Sequence, residues 1–155
     1  MTLKLDYNRW KREHLSYLSS LSPKKILLLF TGGKDSSIIL DFMLKARSEF
    51  SLNFRVQSAK FPNMCFPAEE VAEIDKYWKD RGISIEWFEI DAKDNDLEKA
   101  LQNGLNPCTV CQSIKYEFMK SKITELYSRS DPLVITYGFN LFDLVSYSQI
   151  GRAHV

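Results

Sequence analysis

The sequence predicts an α/β domain built on a doubly wound, mainly parallel sheet. Short apolar runs bounded by turn residues alternate with longer segments of helical period along the chain. The runs are apolar throughout or alternate imperfectly, as strands covered on both faces do. Helical crossovers between successive strands then imply parallel pairing, with helices on both sides of the sheet.

Each element has its own signature. Tyr7, Trp10, Leu15, Leu18 and Leu21 fall roughly on one face among basic and polar residues, which predicts an amphipathic leading helix within residues 1–22, ended by Pro23. "KILLLF" is too short and too uniformly apolar for a surface helix and reads as a buried first strand. From Asp35 to about Ser48, the apolar residues Ile38, Ile39, Leu40, Phe42, Met43 and Leu44 predict a helix buried on more than one side. "NFRVQSAKF" is the second strand, and "PNMCFP" is a loop by its two prolines. A helix follows from Ala68 to Asp80 with Val71, Ile74, Tyr77 and Trp78 inward and Gly82 as its C-cap. "ISIEWFEID" is the third strand. A polar helix near Asn95–Gln102, the loop "NGLNP", a helix over Thr109–Tyr127 and the strand "PLVITYGF" complete the order βαβαβααβ.

Composition narrows the function. The 155 residues suit one domain, and 45% hydrophobic with 26% charged places the chain among soluble globular proteins. Its 21 basic and 20 acidic residues leave no global field that would draw nucleic acid or a membrane surface. No apolar run approaches the roughly 20 residues of a membrane span, and "MTLKLDYNRWKREHL" lacks a signal-peptide core, so a cytoplasmic location is expected. An odd count of three cysteines does not make a secreted disulfide framework.

Chemistry concentrates first in "TGGKDSS", Thr31 to Ser37, between the first strand and its helix. A strand-to-helix turn at the carboxyl edge of a parallel sheet gathers the backbone N–H groups of a helix N-terminus, and small residues let an anion approach them. Gly32 and Gly33 supply that access, Thr31, Ser36 and Ser37 add hydroxyls, and Lys34 adds charge. A plain sharp connection is the competing reading. A Walker A loop is excluded by Leu28, where its first glycine would stand, and by Asp35 directly after the lysine; G-x-G-x-x-G is absent as well.

The stretch closely resembles the S-G-G-x-D-S loop of the PP-loop ATP pyrophosphatases, with Thr31 keeping the hydroxyl of the usual serine. That resemblance implies a Rossmann-like fold of the adenine nucleotide alpha hydrolase type. It also implies ATP cleavage between the α and β phosphates, with adenylation of a substrate oxygen and Mg²⁺ on the departing pyrophosphate. Thr31, Gly32, Gly33, Lys34, Asp35, Ser36 and Ser37 would hold the pyrophosphate, and the edge of the second strand near Ala59 to Phe61 would face adenine. Asp35 would order the loop or the metal, an N-cap for the helix being its other reading. After the fourth strand, "GFNLFDL" partly matches the G-H-x-x-D-D of thiolation and lysidine enzymes. Gly138 is thereby assigned to the nucleotide site, and Asp143 to Mg²⁺ or substrate, an ordinary acid in the first turn of a helix being its other reading.

Cys108 and Cys111 stand three apart after Pro107, on one face at a helix start, where a thiolate is favoured. Burial of one thiol in the core, or half of a zinc site, are the alternatives. The pair resembles the C-x-x-C that tRNA 2-thiocytidine and 2-thiouridine enzymes carry in the same interval before a basic helix, here with Lys115, Lys120 and Lys122. This resemblance implies a tRNA sulfurtransferase whose 4Fe-4S cluster is held by Cys108, Cys111 and a third cysteine. Its partners would be tRNA and a sulfur-donor protein, and a homodimer is its common assembly. Cys65, after the second strand, reads as a loop thiol without a role, its standing in for the third cysteine being the other reading. A sulfonucleotide-reductase-like enzyme and a non-catalytic nucleotide- or metal-binding module are the other functions the residues allow.

The expected organisation is a leading helix over 1–22, an incomplete ATP-binding domain over 23–149 and a non-native tail over 150–155. "IGRAHV" matches the translation of a common sequencing-adapter read and follows without the closing helix expected of such a sheet, so a C-terminal portion is expected to be missing.

Overall fold

The computed structural model describes residues 6–61, 67–90, 99, 102–104, 106–128 and 133–138, without the side chains of 107–109. Four strands, β1 (Lys25–Leu29), β2 (Phe54–Lys60), β3 (Ile85–Glu89) and β4 (Leu133–Tyr137), form one all-parallel sheet in the order β3-β2-β1-β4. The helices are α1 (Tyr7–Glu13), α2 (Leu15–Leu21), α3 (Lys34–Glu49), α4 (Ala68–Lys79) and α5 (Pro107–Leu126). The expected α/β class and parallel sheet are found. The chain divides into two compact units, Met1–Phe54 with Val134–Val155, and Arg55–Leu133.

In the first unit, β1 is buried along four of its five residues, as its unbroken apolar run requires. Leu40, Phe42, Met43 and Ala46 of α3 are buried, so this helix does sink more than one side into the core. The expected single leading helix is instead two. His14 breaks it with φ −115° and ψ 16°, its ring Nδ1 lying 2.8 Å from the Trp10 carbonyl and its ring stacked on Trp10. The offset moves Leu15 out to 52% exposure, against the expected inward face, while Leu18 and Leu21 are fully buried. Tyr7 and Trp10 dock α1 on Phe42 of α3, with ring centroids 5.7 and 5.2 Å away.

In the second unit, β2 pairs with β3 in parallel register, Val56 opposite Ile85 and Ala59 opposite Phe88. Consecutive strand side chains point to opposite faces, and both faces of this unit are covered. Trp87 donates its indole N–H to Asp75 of α4 at 2.7 Å, while Phe88 meets Phe118 of α5. The α4 helix ends in a Schellman motif: the Gly82 N–H bonds the Lys79 carbonyl, the Ile83 N–H bonds the Trp78 carbonyl, and Ile83 and Trp78 are both buried. Tyr77 is not on the inner face as expected. It is 50% exposed, with the Arg81 guanidinium 3.5 Å from its ring centroid. The α5 helix starts two residues earlier than predicted because Pro107 fits the first helical position. The expected polar helix at Asn95–Gln102 lies largely outside the described residues.

Candidate nucleotide site

The sheet order reverses between β1 and β4, and in open parallel sheets that switch point, at the carboxyl ends of the strands, is where a crevice for ligands opens. The glycine turn lies there. Gly32 takes φ +76°, a left-handed conformation that costs glycine little, and swings the chain from β1 into α3. Gly33, not Asp35, is the N-cap of α3, with φ −80° and ψ 169°. Asp35 is the second helical residue, where a carboxylate faces the positive end of the helix dipole. The first intrahelical bond runs from the Ser37 N–H to the Gly33 carbonyl at 3.1 Å, so the amides of residues 34–36 precede the ladder.

Inside the turn, Ser36 is the hub. It is 1% exposed, and its hydroxyl accepts from the Thr31 N–H at 3.3 Å and the Thr31 hydroxyl at 3.0 Å while donating to the Gly33 carbonyl at 2.9 Å. The half-buried Ser37 hydroxyl also donates to Gly33, at 3.0 Å. Thr31, Gly33 and Lys34 are exposed. Gly138, one residue past β4, lies directly on this turn: a Cβ placed there would be 2.6 Å from the Ser36 nitrogen and Cα and 2.8 Å from the Asp35 carbonyl carbon. Seven predicted residues, Thr31 through Ser37, thus share one turn with Gly138 against its back.

The second unit holds the other predicted residues. Phe61 and Ile90, at the ends of β2 and β3, are buried, and Ala59, Val110, Cys111, Ile114 and Phe118 pack against them. An N–H···O bond of 2.8 Å from Ile90 to Lys60 keeps the two strand ends together. Ala59 and Cys111 therefore border one apolar cluster. Lys115, one helical turn after Cys111, places its ammonium 5.7 Å from the Phe61 ring centroid. Cys111 forms no disulfide, and no group of three or more His, Cys, Asp or Glu gathers for a metal among the described residues. Cys65, Asp143, the side chain of Cys108 and residues 150–155 lie outside them.

Sequence reasoning placed Phe61 at the strand edge expected to face adenine, but missed Ile90, which looks like ordinary core at a strand end, and counted Lys115 only within a basic run. The available signal was its spacing of four from Cys111.

No protein-family model matches the chain, and no curated protein matches it. Solved structures do. The U34-tRNA thiolase NcsA from Methanococcus maripaludis, determined with its 4Fe-4S cluster, aligns over 94% of this chain at a TM-score of 0.67 and 14% identity. The NH3-dependent NAD synthetase from Campylobacter jejuni, in complex with a nitrate ion, aligns over 90% at 0.57 and 12%. The chain has their fold. It spans 51% of the thiolase chain and 59% of the synthetase chain. The fold expected from the glycine turn is thus the fold found.

Proposed function

We propose that this chain is the nucleotide-binding part of a PP-loop adenylating enzyme, which splits ATP into AMP and pyrophosphate and activates a tRNA base for sulfur transfer. The observation that carries the proposal is the Thr31–Ser37 turn, set at the β1/β4 switch point with Gly138 packed on its back. Such a turn offers the backbone N–H groups of the helix start and Lys34 to an anion, which is what a departing pyrophosphate needs as charge develops on it. A base oxygen attacks the α phosphorus, the bond to the bridging oxygen breaks, and its electrons leave with pyrophosphate. A sulfur nucleophile then displaces AMP.

Asp35, in the first turn of α3, is a hard oxygen donor of the kind Mg²⁺ prefers, with Asp143 as its proposed companion. Bound there, the ion would neutralise phosphate charge. Cys111 with Cys108 would hold a 4Fe-4S cluster through thiolates, the cluster supplying the site at which sulfur is delivered, and zinc is the alternative. Ala59, on the same apolar cluster as Cys111, would meet adenine. The thiolase with its cluster supports the sulfur branch of this proposal over an ammonia-using one because the paired cysteines suit soft-metal chemistry.

Product analysis with Mg-ATP and unmodified tRNA tests it. AMP and pyrophosphate should form one to one and only when tRNA is present; ADP and phosphate would contradict the assignment. Nucleotide binding without turnover would point to a sensing module.

A further inference from the structure

The exposed face of α4 is uneven along its length. Its first turn carries the exposed Glu69 and Glu70, and its last turn the exposed Lys76 and Lys79, with Arg81 just past the C-cap Asp80. Acids first and bases last complement the helix dipole, which accounts for the two lysines. The dipole does not account for Tyr77, half exposed beside the buried Trp78, or for how Arg81 is held. The Arg81 guanidinium lies 3.5 Å from the Tyr77 ring centroid and donates an N–H to the Tyr77 carbonyl at 2.9 Å. An exposed arginine usually loses rotamer freedom when it binds a partner, but this fork is already held at two points, with further N–H donors to offer.

No carboxylate pairs with Lys76, Lys79 or Arg81 among the described residues, whereas Arg9, Lys45, Arg55, Lys120 and Lys122 each pair with one. Asp80 is the only acid between residues 76 and 81. Tyr77 is also the only large apolar side chain that α4 exposes. One ring is too little for the apolar centre of a protein interface, whereas unpaired cations around an aromatic face suit a polyanion that can stack.

We propose that the C-terminal end of α4 is an RNA-docking surface, where Arg81, Lys76 and Lys79 meet phosphates and the Tyr77 ring stacks on an unpaired base. This rests on the RNA substrate of the proposed function. The helix returns the chain from the carboxyl end of β2 to the amino end of β3, roughly 18 Å along its 12 residues, so the surface lies at the end of the unit away from Ala59 and Cys111. It grips RNA without touching the reacting groups.

Equilibrium titration with unmodified tRNA at several salt concentrations tests the surface. All the side chains to be replaced are exposed, so the fold should survive. Arg81→Gln should weaken binding roughly tenfold and lower the slope of log affinity against log salt by about 1, as loss of one phosphate contact does. Tyr77→Ala should weaken binding roughly fivefold or more with the slope kept, because it removes a stacking surface and no charge. Arg9→Gln, which removes the same charge from a paired arginine, should bind like the unaltered protein. In turnover with Mg-ATP, Arg81→Gln should raise KM for tRNA and leave kcat unchanged.

Arg81→Gln that binds tRNA like the unaltered protein would overturn the inference and leave the surface to an acidic protein partner. Arg9→Gln that loses as much as Arg81→Gln, or Arg81→Gln that lowers kcat at unchanged KM, would overturn it as well. An unaltered protein that binds no tRNA would remove both this surface and the RNA substrate. No AMP from the unaltered protein, with Arg81→Gln and Tyr77→Ala still weakening tRNA binding, would instead remove the adenylation and keep the surface.

Discussion

Gly138 sits against Ser36 so closely that a Cβ at position 138 would lie 2.6 Å from the Ser36 nitrogen, a distance real Cβ atoms do not adopt. The atoms it would strike are backbone at the start of α3, which cannot rotate away as a side-chain tip can. Gly138→Ala should therefore displace the end of β4 or the glycine turn, at a cost of about 1–3 kcal/mol. Urea denaturation should show the loss as a lower midpoint, and magnesium pyrophosphate should bind more weakly. An unchanged midpoint together with unchanged binding would mean that β4 does not press on the turn.

The bond from the Trp87 indole to Asp75 ties β3 to α4. Asp75→Ala leaves that half-buried N–H without its acceptor and should cost about 1–3 kcal/mol. Asp75→Asn keeps an acceptor oxygen and should recover most of the loss. Equal midpoints for all three proteins in urea would show that water replaces the bond freely.

Around α1, the Tyr7 hydroxyl donates to Glu49 at 3.0 Å and Lys11 approaches the same carboxylate at 2.7 Å. Burial first, and then the hydrogen bond to Glu49, push the Tyr7 phenol from 10.0 up to about 12. The folded protein thus holds the phenolic proton more tightly than the unfolded chain. This contribution is full below pH 10.0 and is lost as the pH rises toward about 12. Glu49 moves the other way, lowered chiefly by the Lys11 hydrogen bond, so its small contribution is lost as the pH falls through the carboxylate range. In melting curves against pH, Tyr7→Phe should flatten the alkaline limb, and Glu49→Gln should flatten the acid limb and soften the alkaline one. Parallel curves for all three would break the link between this cluster and stability.

Metal analysis bears on the cysteines. Protein purified without oxygen should carry iron and acid-labile sulfide in equal amounts, and Cys108→Ala or Cys111→Ala should lose both. Cys111 borders the Phe61 and Ile90 cluster, so in metal-free protein its replacement by alanine should cost stability about 1 kcal/mol or less. Zinc without sulfide would assign the pair a structural ion instead.

Much of the fold was legible because its signals are local. The unbroken apolar run of β1, the small turn after it and the Schellman glycine at Gly82 each reflect backbone requirements that few residues meet. Leu15 and Tyr77 were misplaced for a different reason. Helical periodicity assumes an uninterrupted helix and a partner along its whole face, whereas His14 breaks the first and Arg81 covers the exposed Tyr77 ring. At the site, the residue types of the Thr31–Ser37 turn were readable, but their division of labour was not. Which serine is buried depends on Gly138, about a hundred residues away, and on the packing of β4 beside β1. The neighbours of Cys111 at Phe61 and Ile90 are likewise contacts between distant segments, and no spacing records them.

Pyrophosphate release from Mg-ATP by the unaltered protein and by Asp35→Ala tests the central claim most directly. Asp35 occupies the first turn of α3, within the glycine-rich turn proposed to hold pyrophosphate. Release should depend on tRNA and Mg²⁺ and fall by roughly two orders of magnitude in the variant, the size of loss seen when one charge-stabilising group is removed. Equal pyrophosphate from both proteins, or none that depends on ATP, would contradict it.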